Sequence, residues 1–146
     1  MRQMVIDASV AVKWFLPAEE GEKQALAILE EHAGGSLTII TPSLFFYEVA
    51  NALLVAARRN RITEETYRRA VGSLFELALN TQPLELYWEQ ALKMAADYQR
   101  SIYDAAYLAL AASKNVKLVT GDRRLFNAVG PHLPWVVWIE EWQREC

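Results

Sequence analysis

The sequence predicts an α/β fold, with helices on both faces of a central parallel sheet. Three observations carry that prediction. Short, uniformly apolar runs alternate with longer segments of helical spacing, the pattern of strands buried on both sides. The chain has 146 residues, 53% of them hydrophobic, enough to fill a core without disulfides. No linker, low-complexity tract or internal repeat breaks it, so residues 1–146 read as a single domain.

Met4, Val5 and Ile6 form the first apolar run, which stops at Asp7 as a buried strand ending in a loop would. Residues 19–32 follow helical spacing through Ala25, Leu26, Ile28 and Leu29, and Gly34-Gly35 closes them. Residues 37–40 are strand-like, with Pro42 marking their end, and Ser43 stands as the cap of a long helix over 44–59. Thr63-Glu64-Glu65 opens another helix, running to about residue 79, because acidic side chains suit a first turn. Residues 88–99 and 103–113 read as two more helices, the second ended by Asn115. Residues 116–120 form a β-branched strand ending at Gly121, and residues 135–139 a final short strand.

Composition narrows the class. The lone cysteine, Cys146, makes no intramolecular bridge, and the opening MRQMVIDASV lacks the long apolar run of a leader. The most apolar stretch, residues 44–57, holds Glu48 and Asn51 and is too short and too polar to span a bilayer. A soluble, cytoplasmic protein with no membrane partner is expected. Net charge is −3, which at first argues against nucleic acid. Setting aside the four carboxylates Asp7, Glu48, Asp104 and Asp122 makes the balance slightly positive, so the acidity belongs to one site.

In an open parallel sheet, function gathers at the carboxyl ends of the strands. Asp7 and Asp122 each directly follow such an end, although 115 residues separate them. Glu48 and Asp104 each interrupt an otherwise apolar helix, Glu48 among Phe45, Val49 and Leu53, Asp104 among Ile102, Ala105 and Leu108. An unpaired carboxylate in such surroundings costs several kcal/mol. No lysine or arginine lies on the adjacent turns of either predicted helix. A hard divalent cation, magnesium or manganese, would answer both burial and mutual repulsion.

Each acid also has a purely structural reading. Asp7 could cap a helix beginning near Ala8, with Ser9 as a competing cap. Asp104 completes a Ser101-x-x-Asp104 capping box, and Asp122 could be a turn residue or cap. Glu48, in mid-helix, has the weakest such alternative. Asp97, beside Tyr98, Gln99 and Arg100, reads as a solvated carboxylate and stays outside the set. Ser9, Asn51 and Thr120 stand close enough in sequence to support the site, or to serve as ordinary caps.

Val5-Ile6-Asp7-Ala8-Ser9, Tyr47-Glu48-Val49-Ala50-Asn51, Tyr103-Asp104-Ala105-Ala106-Tyr107 and Leu118-Val119-Thr120-Gly121-Asp122 occur in that order. Together they resemble the PIN-domain nucleases, in particular the VapC ribonuclease toxins, over essentially the whole chain. The resemblance implies a three-layer α/β/α sandwich and a metal site of Asp7, Glu48, Asp104 and Asp122 holding one or two magnesium or manganese ions. Ser9, Asn51 and Thr120 fall at positions that often support it. It further implies hydrolysis of RNA to a 5′-phosphate and a 3′-hydroxyl, a homodimer and a VapB-type antitoxin.

Other chemistries fit less well. Acid–base hydrolysis by imidazole wants two placed histidines, whereas His32 at a helix end and His132 in Gly130-Pro131-His132 read as loop residues. A receiver domain would want an adjacent acidic pair after the first strand, and a haloacid-type phosphatase Asp-x-Asp, where Asp7-Ala8-Ser9 stands. A catalytically idle RNA- or protein-binding module stays open. Arg123 and Arg124, beside Asp122, are the leading candidates for RNA phosphate contacts, ahead of Arg58, Arg59, Arg61, Arg68 and Arg69. The five tryptophans, Trp14, Trp88, Trp135, Trp138 and Trp142, read as core or interface residues.

Overall fold

A computed structural model describes residues 2–16 and 20–144. Glu19, the expected start of the first long helix, and Cys146 lie outside the described residues. Five strands, β1 (Arg2–Ile6), β2 (Leu37–Pro42), β3 (Asn80–Gln82), β4 (Lys117–Thr120) and β5 (Val136–Trp138), form one sheet. Its order is β3-β2-β1-β4-β5 and every pairing is parallel. Ile6 stands opposite Val119, so β1 and β4 end side by side.

Seven α-helices accompany them among the described residues: α1 (Ala8–Val12), α2 (Glu22–Ala33), α3 (Phe45–Arg58), α4 (Glu64–Glu76), α5 (Trp88–Tyr98), α6 (Ile102–Lys114) and α7 (Arg123–Val129). Successive residues of a strand face opposite sides. Met4, Val5 and Ile6 are all buried, as are Leu118, Val119 and Thr120, so both faces of the sheet are covered. That is the three-layer α/β/α sandwich. α6 crosses β1, β2 and β4, and its alanines let it approach closely: every residue from Ala105 to Ala111 is buried.

The differences from the sequence reading have local causes. β3 was not expected because Asn80-Thr81-Gln82 is polar and largely exposed at the sheet edge. α1 and α7, with 5 and 7 residues, are too short to show periodicity. Pro42 is the last residue of β2, pairing with Gln82, and does not stand beyond the strand. Ser43 is not the cap of α3: Leu44 holds that position and no side chain caps it. Asn115 does end α6, in the left-handed conformation, and Gly35 follows α2 at φ +83°. The tryptophans divide: Trp138 and Trp142 are buried, Trp14 donates to the Ala25 carbonyl at 2.8 Å, and Trp88 is half exposed.

His32 is likewise no loop residue. It sits in the last turn of α2, where its Nδ1 accepts the Ile39 N–H at 3.1 Å. The proton is therefore on Nε2, which donates to the Leu77 carbonyl at 2.8 Å. One neutral ring thus ties α2, β2 and the end of α4. No helix among the described residues is long and apolar enough to cross a membrane.

His32→Ala leaves two backbone groups without their partner and should lower unfolding free energy by about 1–3 kcal/mol. Urea denaturation should show a lower midpoint at unchanged slope; an unmoved midpoint would mean the ring ties nothing together.

Candidate active site

The sheet order reverses direction at β1, whose neighbours β2 and β4 lie on either side, and such a switch point leaves a crevice at the strand ends. Asp7 leaves β1 there and caps α1, accepting the Ser9 N–H at 3.1 Å. Its Oδ1 also accepts the Ser9 hydroxyl, and its Oδ2 the Thr120 hydroxyl. Those hydroxyls are themselves held: Ser9 Oγ accepts the Gly121 N–H at 2.8 Å and Thr120 Oγ1 the Asp122 N–H at 3.0 Å. Asp122 follows β4 and caps α7 through Oδ1, at 3.0 Å from the Arg124 nitrogen and 3.3 Å from that of Leu125.

The other two acids come from helices. Glu48 stands in the first turn of α3 and not in mid-helix as the sequence reading had it, because α3 starts only at Phe45; it accepts the Tyr107 hydroxyl of α6 at 2.5 Å. Asp104 lies in the first turn of α6, where Ser101 caps its backbone N–H at 3.0 Å. Its carboxylate does not close a capping box but takes Arg100 at 3.0 and 3.3 Å. Asp104 therefore does have a cation, on the residue before its cap, contrary to the sequence reading. The pair is partly exposed, not dry.

Asp7, Glu48, Asp104 and Asp122, with Ser9 and Tyr107, line one small cavity of about 70 Å³. Thr120 touches it through Asp7. Asn51 is exposed on α3 and does not line it. Asp97 pairs with Lys93 at 2.8 Å, outside the site as expected. Arg123 and Arg124 are exposed at the start of α7; the Arg123 guanidinium lies 3.9 Å from the centre of the Trp138 ring and 3.9 Å from Glu20. Arg58, Arg59 and Arg61 are exposed, and Arg68 and Arg69 pair with Glu64 and Glu65.

Three residues escaped the sequence reading. Tyr107 and Arg100 each satisfy a site acid. Lys13, only 9% exposed, follows Ser9 by one helical turn and lies against Gly121, where an added Cβ would stand 2.8 Å from its Cε. The i to i+4 spacing from Ser9 was the available signal for Lys13.

Burial pushes the Asp7 carboxyl up to about 6, against the pull of the Ser9 and Thr120 hydroxyls, and repulsion from Asp122 and Glu48 adds to it. Burial also raises Glu48, with Asp104 and Asp122 repelling it and the Tyr107 bond working the other way. Tyr107 is raised in turn, first by burial and then by Glu48, so it stays a donor. Among the described residues no three such groups stand as a ready-made cation cage. The donor set still fits a hard cation: four carboxylates from four parts of the chain, no nitrogen or sulfur ligand, and a repulsion that positive charge would relieve.

The PIN domain family matches residues 4–130. The chain belongs to the PIN-domain family. Ribonuclease VapC3 of Pyrobaculum aerophilum is 32% identical over 125 residues, covering 84% of this chain and 92% of the relative. The crystal structure of PAE2754 from the same organism superposes with a TM-score of 0.67 at 23% identity, covering 95% and 92% of the two chains. A toxin–antitoxin complex from Klebsiella pneumoniae gives 0.59 at 19% identity over 92% and 95%. The last two speak for the PIN fold alone.

Asp7 binds its proton more tightly folded than unfolded. The stability it contributes is therefore complete below its ordinary value of 3.8 and disappears as pH rises through about 6. In chelator, unfolding free energy should fall over that window by up to about 3 kcal/mol. Asp7→Asn should remove Asp7's share of the fall, leaving the smaller part due to Glu48, and make the variant more stable than the parent at neutral pH; equal pH profiles would show that the Asp7 carboxyl is not under strain.

Proposed function

We propose that this PIN-domain chain is a magnesium- or manganese-dependent endoribonuclease, the toxin of a VapBC-type pair, acting in the cytoplasm. One observation carries the reading: acids from the end of β1, from α3, from α6 and from the end of β4 line a single cavity at the sheet's switch point. Relatedness to a named VapC ribonuclease supports RNA as substrate. A VapB-type antitoxin is supported by the family resemblance and by the fold shared with a toxin–antitoxin complex. A homodimer follows from the family resemblance.

Asp7 and Asp104 would hold the principal ion, with Glu48 and Asp122 completing the site. Such a cation supplies, when bound, a water acidic enough to attack at neutral pH and a positive charge beside the transition state. The chain's own groups do the rest. The Ser9 and Thr120 hydroxyls fix both oxygens of Asp7, so the carboxylate cannot rotate away from the cavity. Tyr107 holds one oxygen of Glu48, and α7, capped by Asp122 Oδ1, fixes the fourth acid. Arg100 can hand Asp104 over when a stronger charge arrives, because the pair is partly exposed. Arg123, stacked on Trp138, presents a guanidinium held in place for a backbone phosphate.

Asp7→Asn and Asp104→Asn should each cut RNA hydrolysis by more than about 100-fold, beyond the loss of a merely supporting group, with circular dichroism unchanged. Wild-type turnover in either would remove that acid from the site. Excess chelator should stop cleavage and added magnesium or manganese restore it; activity that survives chelation would overturn metal dependence. Arg123→Ala should lower the slope of log affinity against log salt by about 1, and an unchanged slope would free Arg123 from any phosphate contact.

A further inference from the structure

A second cavity, of about 290 Å³, lies on α3 and α6, the helices that carry Glu48 and Asp104. Leu44, Tyr47, Leu84, Tyr87, Tyr103 and Ala106 are among the residues that line it, and no charged side chain does. Tyr47 immediately precedes Glu48, and Tyr103 immediately precedes Asp104. Leu44 stands one helical turn before Glu48 and Tyr103 one turn before Tyr107, so the two cavities follow one another along the same pair of helices. The Tyr107–Glu48 hydrogen bond ties together the two helices that line both cavities. Tyr47 is 80% and Tyr103 62% exposed, large aromatic surfaces left in water next to a concentration of charge.

We propose that this cavity is a nucleobase subsite, in which Tyr47 and Tyr103 stack on the unpaired base of a nucleotide adjoining the cleaved phosphate. A nucleotide is a flat apolar ring joined to an anion, and the surface offers the matching pair in that order. The apolar slot takes the base, and the neighbouring acids, with their cation, take the phosphate. The inference rests on the ribonuclease reading and deepens it. Tyr87, a polar group in the slot, already spends its hydroxyl on the Gln82 carbonyl at 3.1 Å. Recognition is by stacking, and a base locked in a duplex cannot enter. The substrate class is RNA with at least one splayed base beside the cut.

The probe is a short single-stranded RNA carrying 2-aminopurine at each position in turn, bound to the Asp7→Asn protein in magnesium so that it is not cut. Fluorescence should be quenched at one position beside the cleavage site mapped with wild type. Tyr47→Ala and Tyr103→Ala, both at exposed positions, should each weaken binding about tenfold and release the quenching, while Tyr47→Phe and Tyr103→Phe retain it. An abasic ribose at that position should lower wild-type kcat/KM about as much. Wild type that cleaves RNA with no dependence on either ring or on the base would overturn the subsite and leave the nuclease standing. Quenching that both alanine variants release, without any cleavage by wild type, would keep a base-stacking slot and overturn the nuclease. Alanine variants that bind and cut RNA normally but lose a VapB-type antitoxin would reassign the slot to protein and overturn the subsite.

Discussion

Two hydroxyls, Ser9 from the first turn of α1 and Thr120 from the last residue of β4, each bind one oxygen of Asp7 and each accept a backbone N–H from the turn that leads into α7. This closed set of bonds joins the ends of two strands that are adjacent in the sheet and distant in the chain. It places Asp122 beside Asp7, starts α7 and holds Gly121 close to Lys13. The parallel register of β1 and β4 makes the network possible, because Ile6 and Val119 bring both strand ends level. A slip of one residue would reverse which face each side chain points to and separate the hydroxyl from the carboxylate.

The site is a concentration of negative charge set against an apolar core. α6 shows the compromise most clearly: seven successive buried residues, Ala105 to Ala111, follow directly on Asp104. Their burial, together with that of β1, β2 and β4, supplies the favourable free energy against which one buried and three half-buried, mutually repelling acids can be maintained. The raised Asp7 and Glu48 measure that conflict. They also explain why a cation is the natural complement, since positive charge would lower both at once.

Structural and chemical readings of these acids proved compatible. Asp7 and Asp122 do cap helices, and both line the cavity. A carboxylate has two oxygens with several lone-pair directions, and a cap uses only some of them. Starting a helix at the site acid also fixes that acid's backbone, so one residue serves as helix start and as cavity wall. Asp104 achieves the same by proxy, Ser101 capping the backbone and leaving the carboxylate to Arg100.

The sequence by itself determined the parallel α/β architecture, because strands buried on both faces must be uniformly apolar and helices must repeat near 3.6 residues. It also singled out Asp7, Glu48, Asp104 and Asp122, since carboxylates in apolar runs or at strand ends stand out without coordinates. Polar β3, the extents of the short helices α1 and α7, and the N-cap of α3 were not legible: an exposed edge strand has no hydrophobic signature, and one or two turns show no period, so only the capping acids Asp7 and Asp122 hinted at those helices. Only the tertiary structure decided who satisfies each acid. Tyr107 meets Glu48 from 59 residues away and Thr120 meets Asp7 from 113, contacts that depend on packing and register. The Arg100–Asp104 pair is instead a local i to i+4 contact whose spacing was already in the sequence. The tertiary structure likewise decided that Asn51 lies outside the cavity and that Tyr47 and Tyr103 share an apolar slot, because a helix's rotation about its axis is set by what it packs against.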